Sequence, residues 1–367
     1  MILKGRFIKL LAKICLAFFV FFSAFFGFNF VGSWLFLLWY NSPRKIAEKT
    51  LQDDPVFHHK WIPNKHFSSS ARGSRVDFWI NCAGFPMKKE TALRPEPGTT
   101  RIFLIGDSNT AGVVDECSKW SVLLEAGLCK IFPSQSFEVI NSGVSSWSFV
   151  QYFFMSRVAL EYKPKILIVG IDMTDLSNDA YYQTFLKRNS SGEPEAVTPL
   201  HSDKILLATT GTYTIPHSFA ERPFFLLDFF LWRRSQNSLY QDSSNQVDWF
   251  RPKWNEKTEQ QFYFSMSLIS KIQQECARRG IFLVVTAFPH ARNFQEHRES
   301  PLGRIQEWMK QNNIYYVDLH TKILSLQGNP LEIFWKNDPT HFNEAGNRLI
   351  SEVILDFFDS HRELLAP

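Results

Sequence analysis

The chain of 367 residues has little of what marks several common functional classes. It holds only five cysteines, Cys15, Cys82, Cys117, Cys129 and Cys276, and no two stand at metal-site spacing. No metal or other cofactor is expected, and no disulfide. The net charge is only +4, with no basic stripe interleaved with aromatics, so nucleic acid is set aside as a partner. Internal repeats and low-complexity tracts are absent, which excludes a solenoid or a compositionally biased tail.

Charge is missing altogether from Ile14 to Tyr40. That stretch makes roughly 40 Å of helix, against a bilayer core of about 30 Å. A cleavable signal peptide has an apolar core of about 7–15 residues, and "AFFVFFSAFFGFNFVGSWLFLLWY" runs well past it. An uncleaved, single-pass signal anchor is expected. Lys4, Arg6, Lys9 and Lys13 precede it, so the positive-inside rule places residues 1–13 in the cytoplasm and everything after Tyr40 outside it. Trp34, Trp39 and Tyr40 then fall at the outer interface.

What the sequence does have is phenylalanine, 36 in all, concentrated near the N-terminus and between 224 and 264. Residues 41–98 read as a polar linker with one strand-like piece, "SRVDFWIN", and close on the boundary "RPEPGTT". His58, His59 and His66 lie in that linker. No Asp, Glu or Cys stands at ligand spacing from them, so they read as solvated.

From Arg101 strand and helix patterns alternate: "RIFLIG", "KWSVLLEAGLCKIF", "FEVINSG", "FVQYFFMSRVALEY", "KILIVGI". After an interruption at about 180–258 they resume with "TEQQFYFSMSLISKIQQECARRG", "IFLVVTAF", "RIQEWMKQN", "IYYVDL" and a helix from Asn343. This predicts an α/β domain over 99–362, a doubly wound parallel sheet covered by helices on both faces. The interruption, with "FFLLDFFLW" at 224–232, is either a lid or membrane-dipping element, or a small subdomain packed on the sheet. Packing is preferred.

In such a sheet ligands bind beyond the carboxyl ends of the strands. Those ends offer Asp107 and Ser108, then Asn141, Ser142 and Gly143, then Asp172, Thr174 and Asp175, then Pro289, His290 and Arg292. "NDPTHFNEAGN" adds Asp338 and His341 just before the last helix. A serine hydroxyl needs a base, and the base needs an orienting partner. Ser108, His341 and Asp338 can fill those roles, while "GDSNT" can equally be a helix cap. His290 and Arg292 are candidate contacts to an acidic or sugar group of the substrate. Asp107 is expected to organise the turn below Ser108.

From Arg101 to Phe358 the chain resembles the SGNH/GDSL hydrolase superfamily. The residues that carry the likeness are Gly106-Asp107-Ser108 after the first strand, Gly143 after the second, and Asp338-Pro339-Thr340-His341 before the final helix. The resemblance implies a flavodoxin-like fold with Ser108 as nucleophile, His341 as base and Asp338 as its orienter. It also implies an oxyanion hole made by the N–H groups of Ser108 and Gly143 and an asparagine side chain. Here the sequence departs from the family. In "ILIVGIDMTDLSND" the asparagine's place is held by Thr174, as in some membrane-anchored relatives, with Asn178 four residues on as the alternative.

These readings converge on a membrane-tethered serine esterase acting on ester-linked acyl groups, with cell-envelope carbohydrate the first substrate class and lipid esters the second. An O-acyltransferase using the same triad is the nearest alternative. A non-catalytic scaffold or glycan-binding module on a degenerate hydrolase fold is the alternative of a different class. No protein partner is indicated.

Overall fold

The computed structural model describes residues 2–40, 50–69, 76–198, 249–250, 253–295, 300–325, 328–336 and 338–366. Helix α1 (Ile2–Tyr40) contains the apolar stretch Lys9–Gly32, long and apolar enough to cross a membrane. Its phenylalanines, among them Phe18, Phe21, Phe22 and Phe25, are exposed and stack along the helix. That is the surface of a helix made for an apolar surrounding.

The region expected to be a linker is a folded part of the domain. It forms two antiparallel hairpins, β1 (Leu51–Asp54) with β2 (His58–Trp61), and β3 (Lys65–Ser69) with β4 (Val76–Ile80). Trp61, Phe78, Ile80, Phe85 and Met87 join the larger hydrophobic core. His58 and His59 are buried rather than solvated, while His66 is half-exposed and stacks on Trp79 with ring centroids 3.8 Å apart.

The main sheet has five parallel strands in the order β11-β10-β7-β5-β6. They are β5 (Thr99–Gly106), β6 (Ser136–Asn141), β7 (Ile166–Asp172), β10 (Phe282–Phe288) and β11 (Tyr315–Val317). Along β5 the side chains alternate between faces. Phe103 and Ile105 enter the core formed with α4 (Phe149–Glu161) and α6 (Glu256–Arg278). Ile102 and Leu104 enter the core formed with α3 (Trp120–Ile131) and α10 (Glu344–Ser360). Burial on both faces explains why these strands read as continuous apolar runs. The strand order reverses between β5 and β7, where a doubly wound sheet opens a crevice at its carboxyl edge.

The shorter elements are α2 (Ser108–Ala111), α5 (Asp175–Tyr182), the hairpin β8 (Leu186–Arg188) and β9 (Pro194–Val197), α7 (Ala291–Gln295), α8 (Ser300–Gln311), α9 (Leu319–Leu324), and the hairpin β12 (Phe334–Trp335) and β13 (Asp338–Phe342). Of the aromatic-rich insert, "FFLLDFFLW" lies outside the described residues. Its described edges pack on the domain: Val197 bridges to Phe57, and the buried Trp249 donates its indole hydrogen to the Met173 carbonyl at 2.7 Å.

Candidate active site

The turn after β5 sets the geometry. The Asp107 carboxylate accepts the Asn109 N–H at 2.8 Å and caps α2 at its start. The capping reading of "GDSNT" therefore applies to Asp107, which leaves the Ser108 hydroxyl for other partners. A Cβ on Gly106 would fall on the Thr110 side chain, and one on Gly143 would fall on the Ala111 backbone nitrogen. Glycine at both positions lets α2 fold back over the strand ends.

Ser108 Oγ lies 2.8 Å from His341 Nε2, and His341 Nδ1 lies 2.7 Å from Asp338 Oδ2. With Nδ1–H donating to the carboxylate, the lone pair of Nε2 faces the serine hydroxyl. The Asp338 carboxylate is itself held by Thr340, whose hydroxyl donates to Oδ1 at 2.7 Å and whose N–H reaches it at 3.3 Å. A residue that the sequence reading passed over joins the blocks: Asn109 Nδ2 donates to Asp172 Oδ2 at 2.7 Å and to the Thr340 carbonyl at 3.1 Å. Its only sequence signal is its place beside Ser108.

Beneath the serine lies a buried carboxylate cluster. Burial and the Asp172 charge push Asp107 well above the usual carboxylate range. Ser108 Oγ is also 3.1 Å from Asp107 Oδ2, so the serine hydrogen has two acceptors in reach, this carboxyl oxygen and His341 Nε2. Burial also opposes charge on Asp172, but His290 and the bonds from Thr174 outweigh it and hold this carboxyl well below the usual range. Asp175, pushed well up by burial and by Asp172, accepts the Asp172 N–H at 2.8 Å. Such displaced groups gather at functional sites.

Of the remaining candidates, one needs revision. His290 is buried beneath the site, with Nε2 2.9 Å from Asp172 Oδ2, because the end of β10 lies beside the end of β7. It is a partner of Asp172 rather than a group presented to substrate. Arg292 is exposed, with its guanidinium 5.1 Å from the Phe250 ring centroid. Thr174, the expected third oxyanion donor, gives its hydroxyl hydrogen to Asp172 Oδ1 at 2.7 Å, while Asn178 Nδ2 approaches Thr174 Oγ1 at 3.4 Å. The Gly143 N–H also has a partner, Asn141 Oδ1 at 3.0 Å. Among the described residues no group of three or more His, Cys, Asp or Glu side chains is placed to hold a metal ion.

No family model matches the chain, and no curated protein matches its sequence. Among solved structures, it is similar to a lipase/acylhydrolase from Enterococcus faecalis, at 14% identity over 71% of this chain and 96% of that one, with a TM-score of 0.39. It is similar to a GDSL-like lipase from Bacteroides thetaiotaomicron, at 12% identity over 71% and 89% of the two chains and a TM-score of 0.36. An acetylxylan esterase from Geobacillus stearothermophilus, solved as a catalytic mutant, is similar at 13% identity over 74% and 95%, with a TM-score of 0.39. These three solved structures are, by their descriptions, a lipase/acylhydrolase, a GDSL-like lipase and an acetylxylan esterase.

Proposed function

We propose that the chain is a membrane-tethered serine esterase that removes ester-linked acyl groups from cell-envelope carbohydrate. The observation that carries this reading is the hydrogen-bonded line from Asp338 through His341 to Ser108, at 2.7 and 2.8 Å. His341 Nε2 takes the hydroxyl proton as Ser108 Oγ bonds to the ester carbonyl carbon, and Asp338 stabilises the imidazolium. The carbonyl oxygen, now an oxyanion, takes hydrogen bonds from the Ser108 N–H and from the Gly143 N–H, which exchanges its bond to Asn141 for this one. Collapse breaks the ester C–O bond, and the leaving alcohol receives the proton from His341. A water attacks the acyl-serine by the same steps and releases the carboxylic acid.

The tether supports the place of action. The apolar helix follows four basic residues, so its N-terminus lies in the cytoplasm and the esterase domain outside it. The test is turnover of p-nitrophenyl acetate and of an acetylated polysaccharide by the full chain in detergent, beside Ser108→Ala. Ser108-dependent release of acetate is expected, and equal rates for the two proteins overturn the reading. An added glycan acceptor that takes up the acyl group faster than water does would make the enzyme a transferase instead.

A further inference from the structure

The loop that carries Gly143 leaves β6 at Asn141 and enters α4 at Phe149. Three of its carbonyls receive donors from elsewhere in the chain. Trp61 Nε1–H donates to Gly143 O at 2.8 Å, His59 Nε2–H to Ser145 O at 2.8 Å, and the Tyr182 hydroxyl to Ser146 O at 2.8 Å. The loop reciprocates: Trp147 Nε1–H donates to His59 O at 2.9 Å, and its ring stacks on Phe57 at 5.1 Å between centroids. His58, with φ of 70°, and Ser146, with φ of 60°, face this junction in the left-handed region that side chains disfavour. Both are held there by the contacts around them.

The two imidazoles form a directed pair. A carbonyl only accepts, so His59 Nε2 carries the hydrogen and its Nδ1 the lone pair. His58 Nδ1, 3.0 Å from His59 Nδ1, is then the donor. Burial keeps both rings neutral, lowering His58 to about 3, with the neighbouring His59 adding to the effect, and His59 to about 4. The charged group facing His59 is Asp54, which is occupied by Lys60 at 2.7 Å, and the Tyr182 phenol completes the surroundings.

We propose that the β1–β2 hairpin is a brace on the oxyanion loop, with Trp61 and His59 as positioning residues that fix the peptide planes around Gly143. This rests on the esterase reading above. Glycine has no side chain whose packing could fix its backbone, so the direction of the Gly143 N–H depends on the bonds on either side of it. Its own bond to Asn141 Oδ1, together with Ser142 N–H to Leu104 O, Val144 N–H to Gly106 O and the Trp61 indole, are those bonds. Without the indole hydrogen the Gly143 carbonyl is left buried and unmatched, and the peptide it shares with Val144 keeps one anchor, the Val144 N–H to Gly106 O bond, where it had two.

The test is steady-state kinetics of the full chain with p-nitrophenyl acetate, beside thermal melts. Trp61→Phe keeps the aromatic ring and deletes the donor; His59→Ala deletes the second donor, and His59→Gln restores an amide hydrogen. Both deletions should lower kcat by about ten- to a hundredfold with KM held within about twofold, and His59→Gln should regain most of the loss. His59→Ala and His59→Gln carry the test by themselves if Trp61→Phe does not fold. Deletions that leave kcat at the wild-type value overturn the brace and leave the triad standing, as do losses that follow the melts and are not rescued by glutamine. A wild-type protein with no Ser108-dependent turnover overturns the esterase reading, and the brace with it.

Discussion

The two ends of the central sheet each bury a polar cluster, and the two are built to opposite rules. At the amino ends of β5 and β6, Arg101 is almost wholly buried, and its donors meet matched oxygens. Nε donates to Glu138 Oε2 at 2.7 Å, and one terminal nitrogen lies 2.6 Å from the same oxygen. The other terminal nitrogen donates to the carbonyls of Leu93 and Tyr162 at 3.0 and 2.6 Å. One cation faces one anion and two carbonyls. At the carboxyl ends, Asp107 and Asp175 lie close enough to Asp172 to feel its charge, Asp172 meets the His290 imidazole at 2.9 Å, and two of the three carboxyls are pushed towards the neutral acid. The first cluster holds strands together; the second keeps like charges close beneath a serine, a cost that a purely structural site would avoid.

The sharpest way to break this contrast is at the triad. Ser108→Ala and His341→Gln should each cut kcat about ten-thousand-fold or more, while thermal melts stay near the wild type because both side chains are only partly buried. Arg101→Met should do the reverse. It strands Glu138 and two carbonyls, and should cost about 3–5 kcal/mol in urea unfolding while kcat per folded molecule is retained. If Arg101→Met loses activity in proportion to nothing but folded fraction, the division between the two ends holds.

How far the sequence already showed this differs residue by residue. The Ser108, His341 and Asp338 positions were readable because each depends on local pattern: a strand end, a turn, a three-residue spacing. The β1–β2 hairpin was not readable, since "LQDDPVFHHKW" is polar and its burial depends on partners such as Gly143 and Ser145, 82 and 86 residues away. The same limit hid the pairing of His290 with Asp172 across 118 residues. At Thr174 the residue type was compatible with oxyanion donation, but only coordinates show the hydroxyl turned to Asp172.

That last point sharpens the carboxyl-end cluster. Thr174→Val and Asn178→Ala separate the two candidate donors, and whichever residue serves the oxyanion should lose about a hundred- to a thousandfold in kcat when removed. The other should change it by less than about tenfold. Kinetics on the pair decides between them.

The smallest expected effects are in pH dependence. The raised Asp107 and Asp175 bind protons more tightly folded than unfolded, so their contribution is present below the ordinary carboxylate pKa of about 4 and is lost as pH rises through their folded values. His58 and His59 act with the opposite sign. Their folded values of about 3 and about 4 lie below the unfolded value of about 6.5, so stability falls as pH drops from about 6.5 to about 3. Asp175→Asn should keep stability at neutral pH within about 1 kcal/mol of the wild type and flatten the carboxylate limb alone, as followed by urea midpoints across pH.

The central claim is that Ser108 is an activated nucleophile. Intact-protein mass spectrometry of the full chain after exposure to a fluorophosphonate probe tests it most directly. The account predicts one adduct, mapped to Ser108, that is absent from Ser108→Ala and strongly slowed in His341→Gln. An unmodified wild type, or an adduct that persists in Ser108→Ala, would contradict it.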